Sequence, residues 1–149
     1  MTNYVEFQNR INELIVFDEN EKVKTCKEIG VNARAITLAK EYGIIPSSRS
    51  LIKIADYFNT SISFLLGYTE DDEYVPPKTK SSFAERLKLL IENDKHTPYK
   101  LAQMWHLDKS CITNWLQGKF IPNISTLEII SDYFDVSIDY LLGRTDYEK

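Results

Sequence analysis

Long apolar runs are missing from this 149-residue chain. Its longest, such as ISFLLG at 62–67, falls far short of the roughly 20 apolar residues that a helix needs to cross a bilayer, so no membrane partner is expected. Cysteine is scarce: Cys26 and Cys111 form neither a metal-ligand spacing nor a disulfide framework, and both are expected to be small buried fillers. The N-terminal MTNYVEFQNR has no basic stretch leading into an apolar core, so no secretory signal is expected and the chain reads as cytoplasmic. Catalytic patterns are missing too. There is no phosphate-cradling glycine loop, no metal cluster and no nucleophile–base pair at a recognisable spacing, so neither an enzyme, a cofactor nor a metal is expected. Nor is there a surplus of positive charge. Lysine and arginine number 18 against 22 aspartates and glutamates, a formal net charge of −4, which argues against a generic polyanion binder.

What is present is a repetition. The stretch ADYFNTSISFLLGYTED at 55–71 returns as SDYFDVSIDYLLGRTDY at 131–147. Shifted by 76 residues, 7–71 aligns with 83–147 without a gap and with 21 identities in 65 positions. The matches include Phe7 with Phe83, Arg10 with Arg86, Ile36-Thr37 with Ile112-Thr113, and Leu65-Leu66-Gly67 with Leu141-Leu142-Gly143. Self-similarity at a fixed period marks a duplicated architectural unit. Between the copies, DDEYVPPKTKSS carries paired prolines, charges and serines but no apolar period, and reads as a linker. The expected organisation is an N-terminal domain at 1–69, a linker at 70–82 and a C-terminal domain at 83–149.

Each copy reads as five short helices. In the second, SSFAERLKLLIEND places Phe83, Leu87, Leu90 and Ile91 at helical spacing behind a Ser82 cap with Glu85 three residues on. TPYKLAQMW offers Thr97 as a cap and Pro98 in the first turn, where a missing N–H costs nothing. HLDKSCITNWLQGK offers Asp108 as a cap, Ile112 and Trp115 or Leu116 as the inward face, and Gly118 as a stop. Only His106 and Leu107 intervene before that cap, which forces a sharp angle between the two helices. STLEIISDYF and SIDYLLG each open on a serine cap. In the first copy EFQNRINELIVF, EKVKTCKEI, ARAITLAKEY behind Asn32, SLIKIADYF and SISFLLG follow the same plan.

The combination F..RLK.L, T..KLA, S.IT.W..GK, P....L and DYF.VS.DYLLG resembles the lambda-repressor/Cro-like (XRE) helix-turn-helix family over nearly the whole second copy. The first copy carries the flanking marks but a degenerate centre. There Cys26 and Ala39 stand where the family has alanine and a large residue, and the glycine ending helix three moves to Gly43. The resemblance implies an all-α fold of two tandem five-helix lambda-repressor-like domains joined by a short linker. It implies a duplex-DNA-binding transcriptional regulator, a repressor by preference, located with the nucleoid.

In that family helix three lies in the major groove. Carried over, the base-reading residues are Lys109, Ser110, Thr113 and Asn114, with Arg34 and Thr37 in the first copy. Lysine donates to guanine O6 and N7, and asparagine pairs with adenine N6 and N7. Phosphate contacts fall to Thr97, Tyr99, Lys100, Lys119 and Asn123, before and after the recognition helix. Residues 94–125 carry four lysines against two acids, 18–49 six basic against five acidic groups. The stretch 1–75 sums to −4 and 76–149 to zero, so the second copy is the better DNA binder. Counted from 68 to 82, the connecting 15 residues extend at most roughly 50 Å, more than the roughly 34 Å between half-sites one turn apart. The alternative is a protein-interaction module, antirepressor- or antitoxin-like, with weak or no DNA binding. In that case Leu38, Tyr42 and Ile44 of the first copy serve a homodimer or a protein partner.

Overall fold

The computed structural model describes residues 2–149, and among these it has ten helices and no strand. The chain divides into two compact units, Met1–Tyr74 and Val75–Lys149. The first holds α1 (Tyr4–Leu14), α2 (Lys22–Ile29), α3 (Ala33–Tyr42), α4 (Ser48–Tyr57) and α5 (Ile62–Leu65). The second holds α6 (Phe83–Glu92), α7 (Pro98–Met104), α8 (Lys109–Leu116), α9 (Ile124–Phe134) and α10 (Ile138–Leu141).

Helices this short are marginal alone, and side-chain caps help to define them. Asn3, Asn32, Ser47 and Ser61 in the first unit, and Ser82, Thr97, Asn123 and Ser137 in the second, each accept the N–H three residues on. Such a bond stabilises a helix by about 1 kcal/mol. Two sequence expectations are corrected. The cap of α9 is Asn123, not Ser125, because the helix begins at the buried Ile124. Asp108 holds the cap position of α8 as expected, without a side-chain bond. Helix α1 runs 4–14 rather than 6–17: Asn3 caps it early, and Ile15 turns extended to bury its own side chain. Cys26 is buried as expected, and burial pushes its thiol pKa up, whereas Cys111 is only half-buried.

Each unit closes around one apolar core. In the first, Phe7, Ile11, Ile36, Leu51, Ile54 and Leu65 are fully enclosed, with α1 packed on α3 and α5. In the second, Leu87, Leu101, Ile112, Leu127, Ile130 and Leu141 do the same, with α8 packed on α6 and α7. The backbone enters the left-handed region at matching places: Gly30 and His106 (φ 89° and 55°), Asn59 and Asp135 (52° and 54°), Gly67 and Gly143 (78° and 75°). At Gly143 the requirement is steric as well. A Cβ there would lie 1.9 Å from the Ser81 carbonyl oxygen.

A buried arginine fastens the first helix of each unit to its tail. Arg86 donates to the Tyr140 carbonyl (3.2 Å), pairs with Asp146 (3.4 Å) and lies 4.1 Å from the Tyr140 ring centroid. Arg10 likewise donates to the carbonyls of Phe64 and Thr69, pairs with Glu6 and Glu70, and covers the Phe64 ring. The second unit adds an ion pair between Arg144 and Asp139, 2.5 Å long with both side chains 5% exposed. It also adds a polar knot ahead of α7. There the Asp94 carboxylate accepts the His96 N–H (2.9 Å) and the Tyr133 hydroxyl (3.0 Å), while His96 Nδ1 lies 2.8 Å from that hydroxyl.

Candidate nucleic-acid interface

The roll of α8 follows from what it buries. Ile112 and Trp115 turn inward, the Trp115 ring meeting Phe83 edge-on at 6.2 Å. At about 100° per residue, Lys109, Thr113, Ser110 and Asn114 then share one outward arc. Lys109, Ser110 and Thr113 are exposed and Asn114 half-exposed. The turn that aims α8 is anchored by Trp105. Its ring is buried and packs edge-on against Tyr133 and Phe134 of α9. The next residue, His106, takes the left-handed conformation, and the Leu107 N–H returns to the Ala102 carbonyl (2.8 Å). A histidine thus makes the turn that Gly30 makes in the first unit.

Thr97, Tyr99 and Lys100 stand exposed at the start of α7, and Lys119 and Asn123 in the segment after α8. Three of these are already engaged within the chain. Thr97 Oγ accepts the Lys100 N–H (3.2 Å), Asn123 Oδ1 the Thr126 N–H (2.9 Å), and the Tyr99 hydroxyl the Gln103 side-chain amide (3.2 Å). These bonds fix the orientation of the groups that remain. Phe120, directly after Lys119, is 60% exposed.

Residues 84–146 match the model of a helix-turn-helix domain. The match covers α7 and α8 with the helices around them and lies entirely within the second unit. Among curated proteins, the chain is similar to the HTH-type transcriptional activator BcrR of Enterococcus faecalis, 37% identical over 61 residues, which is 41% of this chain and 30% of that protein. The chain therefore spans about a third of that relative's length. No solved structure matches it.

The corresponding surface of the first unit is built differently. Ile36 and Ala39 turn inward, Arg34 is exposed, and Leu38 is half-buried. Thr37 is half-buried, and its hydroxyl accepts from Lys22 Nζ of α2 at 2.5 Å. Lys40, one turn further along α3, donates to the Ile15 carbonyl and lies 5.1 Å from the Phe17 ring centroid. Partial burial pushes the Lys40 ammonium pKa down, and the charge of Lys22 pushes it further. Helix α3 also runs two residues longer than α8. Gln8 of α1 donates to the carbonyls of both Lys40 and Glu41, and Asn12 to that of Lys40, each at 3.0 Å. The second unit has Ala84 and Lys88 at the matching places and makes no such bonds among the described residues. Tyr42 (69% exposed) and Ile44 (49%) lie at the end of α3, where a Cβ on Gly43 would meet Tyr4 and Gln8. None of Gln8, Asn12, Lys22 and Lys40 stood out in the sequence. The signal available was the difference between the copies at these positions.

Among the described residues no group of three or more histidine, cysteine, aspartate or glutamate side chains is placed to hold a metal, and no helix is long and apolar enough to cross a membrane.

Proposed function

We propose that this protein is a duplex-DNA-binding transcriptional regulator whose second unit reads the major groove with α8. The observation that carries this is the outward arc of Lys109, Ser110, Thr113 and Asn114 on the third helix of a segment that matches a helix-turn-helix domain. Each of these side chains has hydrogen-bonding chemistry suited to base edges. Thr97, Tyr99, Lys100, Lys119 and Asn123 hold the flanking phosphates, and the uncompensated lysines of 94–125 attract the backbone despite the overall charge of −4. The similarity to a transcriptional activator supports regulation, and the sign of regulation here is taken as repression. In the same proposal the first unit, through Arg34 and Thr37, forms a tandem with the second on adjacent half-sites. A covalent link raises the local concentration of the second binder once the first is bound.

A selection from a random duplex library at low salt, repeated with Asn114→Ala and Arg34→Ala, tests it. The proposal expects an enriched motif that loses one base preference with Asn114→Ala, at a cost of about 1–3 kcal/mol. A folded Asn114→Ala protein that selects the parental motif with parental affinity refutes the assignment of the reading face. The second reading is a protein-interaction module, homodimeric or heteromeric, and it is favoured by the exposed Tyr42 and Ile44 at the end of α3. Absence of any enriched motif from folded protein decides for it.

A further inference from the structure

Of the seven phenylalanines, all among the described residues, Phe120 alone is exposed. It lies between Lys119 and Asn123, in the segment that leaves α8. The backbone on either side of it is held. Gly118 takes the left-handed conformation (φ 74°), and its N–H returns to the Trp115 carbonyl at 3.0 Å. A Cβ on Gly118 would meet nothing within 4 Å, so the glycine there serves the direction of the chain and not a close approach. The Lys119 N–H then returns to the Asn114 carbonyl, also at 3.0 Å. Asn114 belongs to the outward arc of α8, so Phe120 follows directly on a bond to that arc. Beyond it Pro122 and Ile124 are buried, which anchors the segment from the other side. The first unit repeats the arrangement. Ile44 matches Phe120 and is 49% exposed, and its N–H returns to the carbonyl of Leu38, the match of Asn114. An exposed apolar side chain thus follows the third helix at one place in both units, tied each time to the same carbonyl. The charge beside it is not shared, since Lys119 matches Gly43.

We propose that Phe120 is a specificity-determining residue that reads the methyl group of a thymine at the edge of the site contacted by α8. The inference rests on the DNA-binding reading above and deepens it. In the major groove the thymine C5 methyl is the apolar group among the base edges, and phenylalanine is suited to it. Lys109 and Asn114 recognise bases by hydrogen bonds. Phe120 adds a contact of another kind at the C-terminal end of their arc. Covering the ring removes apolar surface from water, which favours the complex. Ile44 performs the same task for the first unit in a tandem.

The test uses the full chain and the duplex recovered by selection. Each thymine in turn is replaced by deoxyuridine, which removes the methyl and leaves base pairing intact. Affinities are measured for the parent, Phe120→Ala and Phe120→Leu, with tryptophan fluorescence in urea showing that each is folded. An exposed side chain is replaced, so the fold should hold. The expected result is one thymine whose demethylation weakens the parent about fourfold, the value of one buried methyl group. The same change should cost Phe120→Ala nothing and Phe120→Leu an intermediate amount. If Phe120→Ala binds as the parent does, the proposal is wrong. It is equally wrong if Phe120→Ala weakens all duplexes alike and keeps every deoxyuridine penalty, because the ring then touches only sugar and phosphate. A selected motif without thymine, or without a deoxyuridine penalty in the parent, also overturns it. In each of these cases the DNA-binding reading survives. If the folded parent enriches no motif at all, the DNA-binding reading itself falls, and this proposal with it.

Discussion

Replacing Arg86 by methionine should weaken the second unit severely while leaving the first untouched. Methionine preserves most of the buried stem, so the loss is confined to what the guanidinium does. Its bond to the Tyr140 carbonyl (3.2 Å) is charge-assisted and buried, worth about 1.5–3 kcal/mol. Its stacking over the Tyr140 ring at 4.1 Å adds about 1–2 kcal/mol. The ion pair with Asp146 contributes little, because that carboxylate is 42% exposed and recovers its hydration when released. These effects overlap, and a net destabilisation of about 2–4 kcal/mol is expected. A unit of this size has roughly 4–11 kcal/mol in total, so the variant sits near the edge of folding. The assay is unusually clean, because both tryptophans, Trp105 and Trp115, lie in the second unit. Their fluorescence in a urea titration reports that unit alone. With a slope of about 1 kcal/mol per molar urea, the midpoint should fall by about 2–4 M. Arg10→Met should leave the tryptophan transition where it was. A midpoint shift below about 0.5 M for Arg86→Met would show that the arginine fills space and does not fasten the tail.

Glycine replacements should separate steric from conformational cost. Gly118→Ala meets nothing within 4 Å and should cost only the left-handed penalty, about 1–2 kcal/mol. Gly143→Ala drives a methyl into the Ser81 backbone and should prevent the second unit from folding, seen as loss of its tryptophan transition. The Asp94 knot predicts a pH dependence. The His96 N–H, ahead of the Tyr133 hydroxyl and the His96 ring, holds the Asp94 carboxyl below its usual 3.8. A lowered folded-state value stabilises the protein above the unfolded pKa, and the effect disappears as pH falls through the folded one. The gap in melting temperature between parent and Asp94→Asn should therefore be present at pH 7 and close as pH falls through the lowered folded-state value, beneath the usual 3.8; a gap unchanged by acid refutes the carboxylate's role. Lys119→Ala should weaken binding to all duplexes alike and make the salt slope shallower by about 0.9.

The helices were legible in the sequence because their determinants are local. Asn32, Thr97, Ser61 and Ser137 sit one residue before the helices they cap, and Ile112 and Trp115 recur at helical spacing. The α9 cap was misplaced by two residues because Asn123 and Ser125 are both capping types, and only the burial of Ile124 decides between them. The outward arc of α8 was readable for the same local reason, once its inward residues were known. The arginine clamps were not. Arg10 and Arg86 stand out as a repeated pair, but their aromatic partners Phe64 and Tyr140 lie 54 residues away, and nothing in the local pattern joins them. Lys22 and Lys40 were hidden differently. If the N-terminal copy is taken as a worn form of the C-terminal one, only its missing features draw notice, and these lysines are additions.

The bonds from Gln8 and Asn12 to the last turn of α3 have a thermodynamic consequence. Carbonyls at a helix C-terminus are normally satisfied by water, and that turn frays. In α3 two of them are occupied, so the ordering entropy of that turn is lost at folding, and little is left to lose on binding. Helix α8, two residues shorter, closes its last turn with backbone bonds alone, from the N–H groups of Gln117, Gly118 and Lys119, so more side-chain ordering is left for binding. Of the two surfaces, the first should bind with little change in heat capacity from local ordering, and the second with a larger, negative one. Calorimetry across temperature could therefore tell which unit a ligand engages before any complex is seen.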